Sequence, residues 1–118
     1  MFGWFRKASK NLRPESRWSV SLTEGQIVVT GPDGNASQVA EMDLSGIVIE
    51  TNDSGPWGAD VWWLLFGVDD LMACAYPQGA TGDADLLTYL TELPGFDHGV
   101  MIAAMASTEN AVFPVWRR

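Results

Sequence analysis

From Trp18 to Trp116 the chain contains no lysine and no arginine. Its seven basic residues are Arg6, Lys7, Lys10, Arg13 and Arg17 before that body, and Arg117 and Arg118 after it. Of the 15 acidic residues, only Glu15 lies outside. The body therefore carries −14, residues 1–17 carry +4 (five basic, one acidic) and the last two residues +2, which together give the net charge of −8. No fold of this body can rest on salt bridges among its own lysines and arginines. Its carboxylates must be met by water, backbone N–H groups, helix N-termini or the basic ends of the chain, and cohesion must come from apolar burial. The composition allows that: 47% of residues are hydrophobic and 19% charged, and 118 residues suit a single core.

The same inventory excludes several function classes. Cys74 is the only cysteine, so no internal disulfide and no thiolate-rich metal site can form. His98 is the only histidine, which argues against zinc. The longest apolar run, residues 61–68, is far short of the roughly 18 residues of a membrane helix. At the N-terminus a very short apolar stretch precedes the charge, the reverse of a secretory signal, so the expectation is cytoplasmic. A body without cations cannot neutralise phosphates, which disfavours nucleic acid as a partner.

Residues 1–17 show no strand alternation, and Phe2, Trp4, Phe5 and Leu12 are too sparse for a helix face. Pro14 closes the segment, which reads as a basic, aromatic arm, mobile or loosely docked, ahead of one acidic domain over residues 18–118. From Trp18 the period becomes two: Trp18, Val20 and Leu22 alternate with Ser19, Ser21 and Thr23. Glu24-Gly25 turns the chain into a second strand over 26–30, and Gly31-Pro32-Asp33-Gly34-Asn35 is a strong turn. A third strand follows at about 37–44 and a fourth at 46–51. After a loop holding Gly55-Pro56-Trp57-Gly58, residues 61–66 are apolar on both faces, which predicts a central strand covered on each side. Asp69-Asp70 then turns the chain into a sixth strand at 71–76.

The last third reads as helical. Thr81 is the predicted N-cap of a helix with Asp83 and Asp85 in its first turn and Leu86, Leu87, Leu90 and Leu93 on its apolar face. Pro94-Gly95 ends it, and Asp97 caps a shorter helix with Met101, Ile102 and Met105 as the expected buried face. A final strand over 111–116 contains Pro114, the mark of an edge or a bulge. The fold class is α+β: an antiparallel meander of about six strands, curved or half-barrel, packed on two C-terminal helices, with a last edge strand. A pleckstrin-homology-like barrel is the alternative.

Each candidate for chemistry has a structural reading beside it. Cys74 lies mid-strand among Leu71, Ala73 and Ala75 with no cation nearby, as a small buried hydrophobe does. Asp69-Asp70 and Asp83-x-Asp85 lack calcium-loop spacing and read as turn and cap carboxylates. Gly79-Ala80-Thr81-Gly82 lacks the spacing and lysine of a phosphate loop. No cofactor is implied. Trp57, on a loop away from any periodic face, is either a lid folded over the sheet or a partner contact.

The segments Asp53-Ser-Gly-Pro-Trp-Gly-Ala-Asp60-Val-Trp-Trp-Leu64, Leu93-Pro-Gly-Phe-Asp97, Ala104-Met-Ala-Ser-Thr-Glu-Asn110 and Phe113-Pro-Val-Trp116 resemble, in that order, a family of small uncharacterised bacterial proteins. The resemblance spans about residues 43–116 and implies a bacterial, soluble, single-domain protein. It brings no activity and no catalytic residues. The expectation from the charge layout is a non-enzymatic protein-binding module with an acidic surface, such as an immunity or antagonist protein for a basic partner. Its candidate contacts are Asp53, Trp57, Asp60, Asp69 and Asp70. The alternative is a small carboxylate-dependent enzyme, or a small-ligand binder in the mouth of the curved sheet. Phe2, Trp4, Phe5, Arg6 and Lys7 have the composition of an interfacial anchor, with weak membrane contact at most, or of an arm that docks on its own acidic body or a neighbour's, so a homo-oligomer is open.

Overall fold

The computed structural model describes residues 17–52 and 61–118. Alternation in the first third produces three short antiparallel strands, β1 (Ser19–Thr23), β2 (Gln26–Thr30) and β3 (Ala36–Ala40), in spatial order β1-β2-β3. Val20, Ile27, Val29 and Val39 point into the core and are buried. Ser21, Val28 and Gln38 pair across the opposite face, which is mostly polar and solvated. Glu24 and Gly25 both take positive φ (53° and 77°), as a two-residue hairpin turn requires.

The expected meander divides after β3, which is also shorter than predicted. Residues Glu41–Asp43 form a 3₁₀ turn instead of extending the strand. The Glu41 N–H donates to the Gly25 carbonyl at 2.8 Å, Leu44 enters the core fully buried, and the Ser45 N–H donates to the Phe66 carbonyl at 2.8 Å. The chain is thereby handed to a second, four-stranded antiparallel sheet. It comprises β4 (Gly46–Thr51), β5 (Val61–Phe66), β6 (Met72–Pro77) and β7 (Ala111–Arg117), in order β6-β5-β4-β7. The α+β class and the last strand at an edge are as expected. The two sheets do not close into a barrel, which removes the pleckstrin-homology-like alternative.

Two helices complete the core, α1 (Asp83–Thr91) against β1 and α2 (His98–Met105) against β7 and β4. Leu86 and Leu90 of α1 are buried and Leu87 and Leu93 pack beside them, as the spacing predicts. Thr81 is not the cap. Its backbone is taken by β1: the Thr81 N–H donates to the Trp18 carbonyl and the Val20 N–H to the Thr81 carbonyl, both at 2.9 Å, as a parallel bridge between Ser19 and Thr81. Gly82 caps instead, at φ +88°, so close to β1 that a Cβ on it would stand 2.4 Å from the Val20 carbonyl oxygen.

The buried face of α2 also differs from expectation. Ala104 is fully buried and Val100 and Met101 are packed at the core, whereas Ile102 and Met105 are exposed (65% and 39%). The reason lies at the cap. The Asp97 N–H donates to the Val115 carbonyl at 2.7 Å and its carboxylate accepts from the Val100 N–H at 3.0 Å, which sets the rotational phase of the helix. Small Ala104 then lets the helix approach the sheet closely. The Leu93–Asp97 motif is structural in the way its residues suggest: Gly95 takes φ +88°, Phe96 is buried and Asp97 caps. Buried Thr51 closes the far end, donating its hydroxyl to the Glu109 carbonyl at 2.7 Å. No described helix is long and apolar enough to cross a membrane.

Candidate functional site

In β5, the sequence Val-Trp-Trp-Leu-Leu-Phe places Trp63 and Leu65 in the core, 1% and 0% exposed. Trp63 stacks nearly parallel to Tyr76, and its indole N–H donates to the Gln78 amide oxygen at 2.7 Å. Val61 packs against the same core, whereas Trp62, Leu64 and Phe66 face away from it and are half-buried. The strand is interior to its sheet, as expected, and its two faces are covered unequally. One face is covered by helix and the other by no described helix, because α1 packs on β1 and α2 covers the core side of β4 and β7.

The register extends that outer face across all four strands. Pro77, Trp62, Glu50 and Val112 form one row, Ala75, Leu64, Val48 and Pro114 the next, and Met72, Phe66, Gly46 and Arg117 the third. Glu50 and Arg117 are the only charged residues in the three rows, and they stand at opposite ends of the face. Met72 and Val112 are 56% and 61% exposed, and Pro114 is exposed as well. The three-stranded sheet shows what a solvated face of this chain looks like, with serine, threonine and glutamine turned outward. The four-stranded sheet does not follow that pattern: exposed Met72, Val112 and Pro114 surround half-buried Val48, Trp62, Leu64 and Phe66, and an apolar face of this kind marks an interaction surface.

A shallow cavity of about 500 Å³ indents this face at its Phe66 end. Its outer wall is formed by Gly46, Val48, Phe66, Asp70, Pro114 and Arg117. The cavity follows from Pro114, which has no N–H to give to β4. The β4–β7 register shifts there, leaving Val115 as the extra residue of a bulge. The bulge is held from behind by the Asp97 bond to Val115 and by the Trp116 indole, which donates to the Pro94 carbonyl at 2.9 Å. Arg117 and Asp70 close one side at 3.6 Å, both well exposed, so the pair adds little stability and can be exchanged for other partners.

The turn between β5 and β6 presents Asp69 and Asp70, both at positive φ (60° and 57°), a conformation aspartate tolerates better than most residues. Of the candidate contacts from sequence, these two are described, and Asp70 reaches the cavity. Asp53, Trp57 and Asp60, and the anchor candidates Phe2, Trp4, Phe5, Arg6 and Lys7, lie outside the described residues. Residues 53–60 join Asn52 to Val61, whereas Asp69 and Asp70 follow the opposite end of β5. Six residues of strand separate those ends by about 20 Å. Sequence reasoning missed Trp62, Leu64, Phe66, Val48 and Val112 as residues of one outer face. A usable signal was available: helices of nine and eight residues cannot cover both faces of a four-stranded sheet.

Groups suited to catalysis are differently placed. Cys74 is 2% exposed, and burial pushes its thiol pKa up, partly countered by a hydrogen bond with Ser37, which is the opposite of nucleophile activation. His98 is exposed at the start of α2, with its ring edge-on to Phe96. The cavity contains two carboxylates, Asp70 and Asp97, the first paired with Arg117 and the second capping α2. Among the described residues no three His, Cys, Asp or Glu side chains are grouped to hold a metal ion. Comparison of the chain with family models, with curated proteins and with solved structures gave no match.

Proposed function

We propose that this protein is a non-enzymatic binding module that meets a protein partner through the outer face of its four-stranded sheet. The observation that carries this reading is the three-row face centred on Trp62, Leu64 and Phe66, with charge only at Glu50 and Arg117. An apolar centre containing tryptophan, with charge confined to the margin, is the anatomy of a protein interface. The acidic body makes a basic partner surface the favoured one, as for an immunity or antagonist protein that covers a basic site. The cavity at the bulge supports a second reading, a small-ligand binder, because its lining combines apolar Val48, Phe66 and Pro114 with the polar groups of Asp70, Asp97 and Arg117.

Affinity capture from the native host at low and high salt, with the full chain and with Leu64→Asp and Val112→Asp, tests the first reading. A basic protein captured by the native chain, weakened by salt and lost in both variants, supports it. Capture of only acidic proteins, or capture indifferent to both substitutions, counts against it. A melting temperature raised by a small molecule, with capture unchanged in both variants, selects the second reading.

A further inference from the structure

We infer that residues 1–16 are an occupant of this same face, laid intramolecularly over Trp62, Leu64 and Phe66. The inference rests on the outer face being a binding surface, as proposed above, and names what covers it in the free protein.

The first ground is where the described chain begins. Trp18 packs edge-on against Trp62, with ring centroids 5.3 Å apart and planes at 90°. Trp62 is an outer-face residue, so the chain preceding Trp18 leaves from the margin of that face. Trp18 is held there by its carbonyl, which accepts from the Thr81 N–H. The second ground is reach. Sixteen residues can span about 50 Å when extended, whereas β5 runs about 20 Å and four strands are about 15 Å across. The segment covers the face with slack.

The third ground is chemistry. Phe2, Trp4, Phe5 and Leu12 provide apolar side chains for a face that is apolar at its centre. Arg6, Lys7, Lys10 and Arg13 against Glu15 give residues 1–16 a net charge of +3 (four minus one). The margins they would meet carry Glu50 on one side and, on the other, Asp69 and the exposed Asp70–Arg117 pair, whose loose contact can be exchanged for another cation. A second copy docked face to face brings two acidic bodies together and is the poorer occupant on charge. A partner at this face would then have to displace the segment, so native affinity is reduced by the fraction of protein in the covered form.

Paramagnetic broadening in the full chain tests this. A nitroxide on Ala8→Cys, with Cys74→Ala to leave one label site, is expected to cause loss of the amide signals of Val48, Leu64, Phe66 and Val112. The amides of Ser21, Val28 and Gln38, on the solvated face of the other sheet, should keep theirs. A parallel measurement needs no new cysteine: Trp4→Ser with Phe5→Ser in the otherwise native chain should shift the same outer-face amides and leave the solvated face unmoved. No broadening, broadening spread over both sheets, or outer-face amides unmoved by the double substitution overturns the inference. So does broadening that passes between molecules when labelled chain is mixed with isotope-enriched unlabelled chain. If the segment fails these tests while Leu64→Asp still abolishes capture, the partner reading stands without it. If capture is indifferent to Leu64→Asp while the broadening appears, the segment covers a face with no external partner.

Discussion

Gly82 and Gly95 offer a matched pair of perturbations. Both have φ of +88°, but a Cβ at Gly95 meets nothing within 4 Å, whereas one at Gly82 would stand 2.4 Å from the Val20 carbonyl oxygen. Replacing either by alanine forces an L side chain into the left-handed region at about 1–2 kcal/mol. Part of that is offset because alanine has less unfolded-state freedom to lose, so Gly95→Ala should cost about 1 kcal/mol. At Gly82 backbone must also move apart, and the atoms that must move carry the bridge between β1 and residue 81. Its two hydrogen bonds, Thr81 to Trp18 and Val20 to Thr81, are both 2.9 Å. At about 0.5–1.5 kcal/mol each, their loss takes the expected cost of Gly82→Ala to about 3 kcal/mol. Urea denaturation monitored by fluorescence measures both, and for a domain of this size each kcal/mol corresponds to about 4 °C in Tm. Gly82→Ala should also disturb the surface, since the same bridge seats Trp18 on Trp62. Equal costs for the two substitutions would refute the assignment of Gly82 as the contact that ties α1 to β1.

Alkaline stability and salt response follow from groups already described. Burial first, and the charges of Asp83 and Cys74 second, raise the Tyr76 phenol well above its ordinary value. Burial, then the charge and hydrogen bond of Glu41, raise Tyr89 against a smaller opposing effect of Arg118, and burial raises Cys74. A pKa raised on folding means the native state holds protons that the unfolded state has released. This stabilisation is therefore complete below about pH 9 and is lost as pH rises through the unfolded thiol and phenol values and beyond. Tyrosinate absorbance should appear cooperatively with unfolding; a Tyr76 phenol that ionises near its ordinary value in the folded protein would contradict this. Raising sodium chloride from about 10 mM to about 150 mM shortens the screening length from about 30 Å to about 8 Å, so Tm should rise as repulsion among the body's carboxylates is screened. A flat or falling Tm would show that these carboxylates are already well separated or satisfied.

Much of the fold was legible because local chemistry decided it. The period-two alternation of Val20 and Leu22 produced β1, the leucine spacing produced α1, and Asp97 capped α2. What sequence could not show were the places where one segment's backbone is claimed by a distant one. Thr81 has the side chain of a cap, but β1 takes its backbone. Residues 41–44 continue the pattern of a strand, but Leu44 gains more from entering the core than from pairing. Ile102 and Met105 are as apolar as the neighbours that pack, and they were left outside by the phase that Asp97 and Val115 impose. The site was obscured for a related reason. A strand apolar on both faces reads the same whether its second face meets a helix or meets a partner, and only the count of available covering elements separates the two.

The charge of the body and the apolar face of the sheet bear on one another at short range only. At physiological ionic strength, charges more than about 8 Å from a contact are largely screened, so the net charge of −8 steers encounter toward a basic partner but does not by itself fix the contact. What selects is the charge at the margin of the face. Glu50 stands beside Trp62 at one end of β5, and Asp69 and Asp70 follow Phe66 at the other. An occupant that buries Leu64 and Phe66 is favoured when it brings cations to Glu50 and Asp69, since Asp70 already has Arg117 beside it and a carboxylate desolvated without a partner is costly. A second copy answers this poorly, because its face brings one cation, Arg117, against Glu50, Asp69 and Asp70. The cations of residues 1–16 could answer both ends, and so could a basic partner. The distance between the two acidic margins, set by the six residues of β5, is then the spacing that such an occupant has to match.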